Sequence, residues 1–426
     1  MEDFGKKSIV HSNAGMKIKN PREELAMLIM RRGLVLAIMG FLLFAFPLLS
    51  ARAAEDGVTD TEILIGTSQA LTGGMAFIGN QNVNGTKIMI NEINAKGGIH
   101  GRKIKQFVMD DAYQTPRHVA NLRRMIEQDK VFCFVFNLGT HTVAASLPIL
   151  NQYKVPLYGA ATQGKMFDKE PYVFSDAASW RQLVIQSIRY MMKEKGKKKI
   201  AIFYWDNALG QEHLEGAREY MKAIGSSLVA EERFKEEDQD MSSQAIRLKK
   251  SEADLVLLGT SPTGGAKIAK AMHIIGYSPD MVGPLMLASP GFLNVAGKDA
   301  EGLYIALPFL SPMDDAVASY RELAKKYYPG KPFDNQVLAG MANVFVFAEG
   351  CRRAGKDLTR EKFIKAVETI GHKNYDMPFY KGGEFVYAPG RHRASSSVIL
   401  AQIQDGKLKQ VTDWLHWKDM PVPEIQ

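Results

Sequence analysis

Residues Ile63-Leu64-Ile65, Leu71-Thr72-Gly73-Gly74, Asn80 to Asn94, Gly97-Gly98-Ile99-His100-Gly101 and Ile104 to Asp110-Asp111 follow one another without a gap in sense. An apolar strand breaks at a small-residue turn. A helical run comes next, then a glycine turn, and a second strand ends on two acids. That is a strand–helix–strand crossover, the unit of a parallel sheet covered on both faces.

The same alternation continues outward. A helix is predicted over Pro116 to Gln128, opened by Thr115 as cap, then a strand over Val131 to Phe136 and a helix over Val143 to Gln152. Val155 to Tyr158 reads as the next strand. A second series begins after Trp180, with strands at Lys199 to Tyr204, Leu228 to Phe234, Leu255 to Leu258 and Met281 to Leu287. Helices near Gln211 to Ile224, Ser242 to Lys250 and Ala266 to Ile275 separate them. The rhythm then changes: helices fit Val337 to Arg353 and Arg360 to Glu368, and short, antiparallel-looking strands fit Glu384 to Tyr387 and Ser397 to Ile403. The fold class is α/β, in two sheet-based halves.

The N-terminal region points to export. Arg31-Arg32 precede an uncharged run, Gly33 to Leu49, and the exit Ala51-Arg52-Ala53 has the small residues of a signal-peptide cleavage site, with cleavage expected after Ala53. No cysteine stands at the new N-terminus to carry a lipid, so retention by an outer membrane is expected, in a periplasm of Gram-negative type. Removing residues 1–53 lowers the formal charge from +8 to +4, which takes away the basic footprint of a nucleic-acid binder. Cys133 lies in the apolar run Val131 to Phe136, and Cys351 on a helix, so two separately buried thiols are expected rather than a disulfide.

In an open α/β sheet, ligands sit beyond the carboxyl ends of the strands, where loops feed helix N-termini. Asn137-Leu138-Gly139-Thr140-His141-Thr142 leaves one strand and opens a helix, so its N–H groups and the hydroxyls of Thr140 and Thr142 form a candidate carboxylate cradle. The plainer alternative is that Thr142 caps the helix and binds nothing. Gly159-Ala160-Ala161-Thr162-Gln163-Gly164 follows the next strand, and Leu71 to Ile78 is placed at a cleft mouth, with Phe77 and Ile78 as candidate contacts or plain surface.

Asn94-Ala95-Lys96-Gly97-Gly98-Ile99 closely resembles the turn after the first helix of the periplasmic solute-binding proteins of branched-chain amino acid ABC transporters. The resemblance runs from about Ile63 to Tyr387, and is strong again at Pro156 to Thr162, Asn294-Val295-Ala296-Gly297 and Ala300-Glu301-Gly302-Leu303. It implies a type I periplasmic binding fold with a three-segment hinge. Lobe 1 would be 54–176 plus 311–391, and lobe 2 would be 177–310 plus 392–426. It implies capture of a small carboxylate or amino acid and its delivery to ABC permease subunits, by a monomer with no cofactor, no metal and no catalysis. A ligand sensor of the same fold, without a transport role, is the alternative.

By the same resemblance, Ala160 and Thr162 grip the ligand, while the accompanying serine falls on Gly139, with Thr140 the nearest hydroxyl. In the second lobe the pattern breaks. The acid that meets an ammonium falls on Leu285 in Gly283-Pro284-Leu285-Met286, and two expected tyrosines fall on Ser261 and Leu209. An ammonium buried against Leu285 lacks its acceptor. The expected ligand is therefore a small carboxylate with an apolar body, with Asp206 as the acid in reserve should the ligand carry an amine.

Other chemistries fail on spacing. Gly259 to Lys267 lacks the Lys-Ser/Thr pair of a P-loop, no Gly-x-Ser-x-Gly elbow occurs, and Gln211-Glu212-His213 lacks a second histidine four residues on, leaving His213 as a solvated helix residue. His141 lacks a nucleophile and an orienting acid, so ligand contact or loop packing is expected of it. Asp110-Asp111 reads as a strand end, with one acid capping a turn and the other in solvent.

Overall fold

In this computed structural model, which describes residues 55–371 and 377–419 and isolated positions between 22 and 30, the opening crossover forms as read. The expected leader, Arg31 to Ala53, lies outside the described residues. Strand β1 (Glu62–Gln69) pairs in parallel with β2 (Lys103–Asp110), Glu62 opposite Lys103 and Gln69 opposite Asp110, and helix α1 (Ala76–Ala95) crosses between them. The helix starts earlier than Asn80 because the Asp110 carboxylate ties down the turn before it. That carboxylate accepts the N–H groups of Leu71 and Thr72 and the Thr72 hydroxyl.

Next come α2 (Thr115–Glu127), β3 (Cys133–Val135), α3 (Thr140–Tyr153), β4 (Leu157–Tyr158) and β5 (Val173–Phe174). Thr115 is the first helical residue rather than the cap; Gln114 holds that position without a side-chain bond. The five strands run in the order β2-β1-β3-β4-β5, all parallel. The order reverses at β1, so a crevice opens at the carboxyl ends of β1 and β3. There the Thr67 hydroxyl donates to Val135 O and the Ser68 N–H to the Asn137 side chain.

The second series is α4 (Trp180–Lys195), β6 (Ile200–Trp205), α5 (Ala208–Ala223), β7 (Ala230–Phe234), α6 (Ser242–Lys250), β8 (Leu255–Gly259), α7 (Pro262–Ile274), β9 (Asp280–Pro284), α8 (Pro290–Ala296) and β10 (Tyr304–Leu307). Then come α9 (Ala318–Tyr327), α10 (Asn335–Ala354), α11 (Arg360–Val367), β11 (Ile399–Gln404) and β12 (Lys407–Gln410). The second sheet has the order β12-β11-β10-β9-β8-β6-β7, with β11 antiparallel to both β10 and β12 at one edge. Both sheets belong to one unit, residues 55–426.

Glu384 to Tyr387 is not a strand. Its aromatic residues are spent on the core: the Tyr387 and Tyr158 hydroxyls share a hydrogen bond of 3.0 Å, and Phe174 meets Tyr387 edge-on. Cys133 and Cys351 are free and fully buried, and burial pushes both thiols up. No helix among the described residues is long and apolar enough to cross a membrane.

The first sheet is covered from a distant part of the chain, by α10 lying against α1. The two backbones approach so closely that glycine is required on each. A Cβ on Gly85 would sit 2.1 Å from Val337 O, and one on Gly340 would sit 2.4 Å from Asn82 O. Gly85→Ala or Gly340→Ala should therefore cost about 2–3 kcal/mol through overpacking. Urea unfolding would read this as a lower midpoint at unchanged slope; an unmoved midpoint would mean that the helices part freely.

Candidate functional site

Helix α3 opens at the crevice of the first sheet without any side-chain cap. Its N-cap is Gly139, at φ +104°, a conformation that disfavours a side chain. A Cβ there would also meet Thr142 Oγ1 at 2.5 Å and the Tyr113 ring at 2.8 Å, so no serine fits where the resemblance expected one. Thr142 is not the cap either, because its hydroxyl points backwards to Leu138 O and Gly139 O. The N–H groups of Thr140, His141 and Thr142 consequently meet no protein acceptor among the described residues.

The hydroxyls beside this helix start form one buried cluster. Thr140 Oγ1 and Thr162 Oγ1 are 2.6 Å apart, and Trp180 Nε1 donates to Thr140 Oγ1 at 3.2 Å. The Trp180 indole in turn borders a mostly apolar cavity of about 40 Å³ between the two sheets. Ile78, Leu138 and Ala160 wall it from the first sheet's side, and Leu285 and Met286 from the second's.

Of the residues read from the sequence, Ile78, Ala160 and Leu285 thus line the cavity, and Gly139, Thr140, Thr142 and Thr162 build the helix start beside it. Leu209 is buried in the apolar cluster that Ile78, Leu138, Trp180 and Met286 share. Ser261 does not reach the cavity: it caps α7 through the Gly264 N–H and donates to Glu236 at 3.0 Å. His141 stands edge-on to Tyr113, half-buried, with Nε2 3.3 Å from Tyr113 O, and burial lowers its pKa. It packs the loop and does not line the cavity. Asp206 faces Arg233 at 3.6 Å and does not line the cavity.

Two further expectations are corrected. His213 is buried rather than solvated, tilted against Trp180 at 5.1 Å with Nδ1 2.8 Å from Leu209 O; burial takes its pKa down to about 4. Asp111 is likewise buried, accepting from the Ser68 hydroxyl and facing His118 Nδ1, each at 2.8 Å. This is the wrong order for a nucleophile, since the serine meets the acid and not the histidine.

The sequence reading missed the polar side of the cavity. Asp176, Gln163, Gln336 and Asn343 all line it and are all more than nine-tenths buried. Gln336, Ala339 and Asn343 recur at helical spacing on α10 after the cap Asp334, a face that was legible. The start of α4 was legible too: Ser179 and Gln182 form a capping box on either side of Trp180. Asp176 had no such signal.

A family model for the periplasmic binding protein matches residues 62–407. The chain belongs to the periplasmic binding protein family. It is 23% identical over 392 residues to a Leu/Ile/Val-binding protein homolog of Brucella melitensis, across 85% of this chain and 94% of the relative. A fatty acid ABC transporter substrate-binding protein from Thermomonospora curvata superposes with a TM-score of 0.77 at 22% identity, over 88% of this chain and 98% of that one. A branched-chain amino acid ABC transporter protein from Thermus thermophilus, solved with valine bound, gives 0.76 at 19%, over 84% and 97%. The fold is the two-lobed type I periplasmic one, and the general role is solute binding.

Burial raises the Asp176 carboxyl from its ordinary 3.8 to about 6. The folded state therefore holds that proton more tightly than the unfolded chain. Ionised Asp176 destabilises the fold fully above about pH 6, and the effect vanishes as pH falls toward 4. Asp176→Asn should be more stable than wild type at pH 8, by as much as about 3 kcal/mol. That advantage should shrink toward pH 4 in denaturant titrations; a difference that does not change with pH would contradict the assignment.

Proposed function

We propose that this protein is the exported solute-binding component of an ABC importer, and that its solute is a small carboxylate with an apolar body. The observation that carries this is the start of α3, three uncapped N–H groups at the positive end of a helix beside an apolar cavity. Thr140 and Thr162 supply hydroxyls there, and Ala160 supplies cavity wall. The solutes in the relatives' names support the class: a branched-chain amino acid and a fatty acid share a carboxylate and an apolar chain.

The mechanics follow from where the contacts lie. Polar groups come from the first sheet's elements, whereas Leu285 and Met286 come from the turn after β9 of the second. Tyr113 stacks on Trp205 at 6.0 Å, closing one sheet's loops on the other's. The cavity is walled from both sheets' sides, so parting of the lobes would open it to solute. Contacts made only on closing, those to Leu285 and Met286, are the ones that shift the equilibrium toward the closed form. In the proposed boundaries lobe 1 comprises residues 54–176 and 311–391, and lobe 2 residues 177–310 and 392–426. The signal is removed after Ala53 in the periplasm, and the closed form is recognised by permease subunits.

A thermal-shift comparison of 4-methylpentanoate and its primary amide tests the class. The acid at about 100 times its dissociation constant adds roughly 2.7 kcal/mol and raises the midpoint, while the amide, which lacks the charge, does not. Equal stabilisation by both, or by neither, overturns the carboxylate reading.

A further inference from the structure

The turn that follows β2 is strained. Ala112 and Tyr113 stand at φ +49° and +61°, the only adjacent pair of non-glycine residues in the left-handed region among the described residues. Such backbone is costly without glycine and persists only where neighbouring groups impose it. Here two carboxylates do so. Asp110 Oδ1 accepts the Ala112 N–H at 2.9 Å, and Asp111 Oδ1 accepts the Tyr113 N–H at 2.8 Å. Asp111 is itself held by the Ser68 hydroxyl and His118 Nδ1.

What the turn presents is the Tyr113 ring. On the first sheet's side the ring lies against Gly139 and edge-on to His141. On the other side it stacks on Trp205, at the end of β6, with centroids 6.0 Å apart and planes 23° from parallel. Trp205 continues the stack to Phe234 at 6.2 Å, and Phe234 continues it to Phe203 at 4.7 Å. Tyr113 thus completes a column of rings that otherwise belongs to the second sheet. Among the described residues its hydrogen bonds run through the backbone and not the hydroxyl, so ring packing alone ties it across. Phe77, in the first turn of α1, makes a second crossing contact: a Cβ on Gly291 of α8 would meet its ring at 3.3 Å. Tyr113, Trp205 and Phe77 do not line the cavity, so neither contact needs a solute in it.

We propose that Tyr113, assisted by Phe77, is a positioning residue: it latches the two sheets' halves together and sets how often the protein closes before any solute arrives. The inference rests on the reading that the lobes part to admit solute. A strained turn suits this use, because the ring is fixed where Trp205 meets it and little is left to order on closing. Such a latch has no selectivity. Apparent affinity is the closed form's affinity reduced by the fraction of competent protein, so the latch scales every solute alike.

Small-angle X-ray scattering of the solute-free protein, with isothermal titration of leucine and 4-methylpentanoate, tests this on two variants. Tyr113→Phe keeps the ring and should match wild type within about twofold in affinity. Tyr113→Leu keeps apolar bulk against Gly139 but loses the stack. Its closed-to-open ratio should fall about two- to tenfold, the worth of one aromatic pair. Where wild type is mostly closed, that fall appears as a larger solute-free radius of gyration. Where it is mostly open, it appears as one common loss of affinity for every probe that binds. Phe77→Ala, at a position 37% exposed, should act in the same direction and gives a second reading should Tyr113→Leu fold poorly. Wild-type scattering and wild-type affinities in both Tyr113→Leu and Phe77→Ala overturn the latch. A loss confined to one probe also overturns it, because the ring would then be touching that solute. If neither probe binds, the carboxylate reading fails and the scattering comparison alone decides the latch.

Discussion

Burying a hydrogen-bonding group without a partner costs on the order of 1–3 kcal/mol, and the space between the two sheets contains several such groups. The α3 N–H groups and the Asn343 and Gln163 carbonyls meet no hydrogen-bond partner among the described residues. The rest of the fold is what holds them there. Glycines at 85 and 340 let α10 lie against α1 and carry Gln336 and Asn343 to the cavity. Gly139 lets α3 start uncapped. Trp180, seated by the Ser179 capping box, orients Thr140 and walls the cavity at once.

The division of labour between the sheets follows. Every polar group facing the cavity comes from elements on the first sheet's side or from the segment leaving β5, while the β9 turn contributes Leu285 and Met286. In the proposed mechanism a solute would thus meet its polar partners on one lobe, and closure would be driven by removing apolar surface from water on the other, at roughly 25 cal/mol per Å². Affinity would then follow the solute's apolar body, and selectivity its polar ends.

How much of this was legible in the sequence depended on the range of the forces involved. Local patterns reported well: the Ile63–Asp111 crossover and the α6 limits both stand on residues close in the chain. Ser261 was misplaced because a serine ahead of Pro262 is first of all a cap, a local use that a positional analogy does not see. Asp206 and Asp176 show the harder case. Both follow strands, yet one meets Arg233 at the surface and the other turns into the cavity, and only the long-range packing of α10 and Arg393 decides between them. Glu384 to Tyr387 has a strand-like composition, but its aromatic rings are claimed by Tyr158 and Phe174.

The most direct test is a crystal structure of the protein with leucine or 4-methylpentanoate bound. Carboxylate oxygens are expected within hydrogen-bond reach of the Thr140, His141 and Thr142 N–H groups, with the carbon chain packed on Leu285 and Met286. A solute whose carboxylate lies away from the start of α3, or which sits outside the space between the two sheets, would contradict this placement.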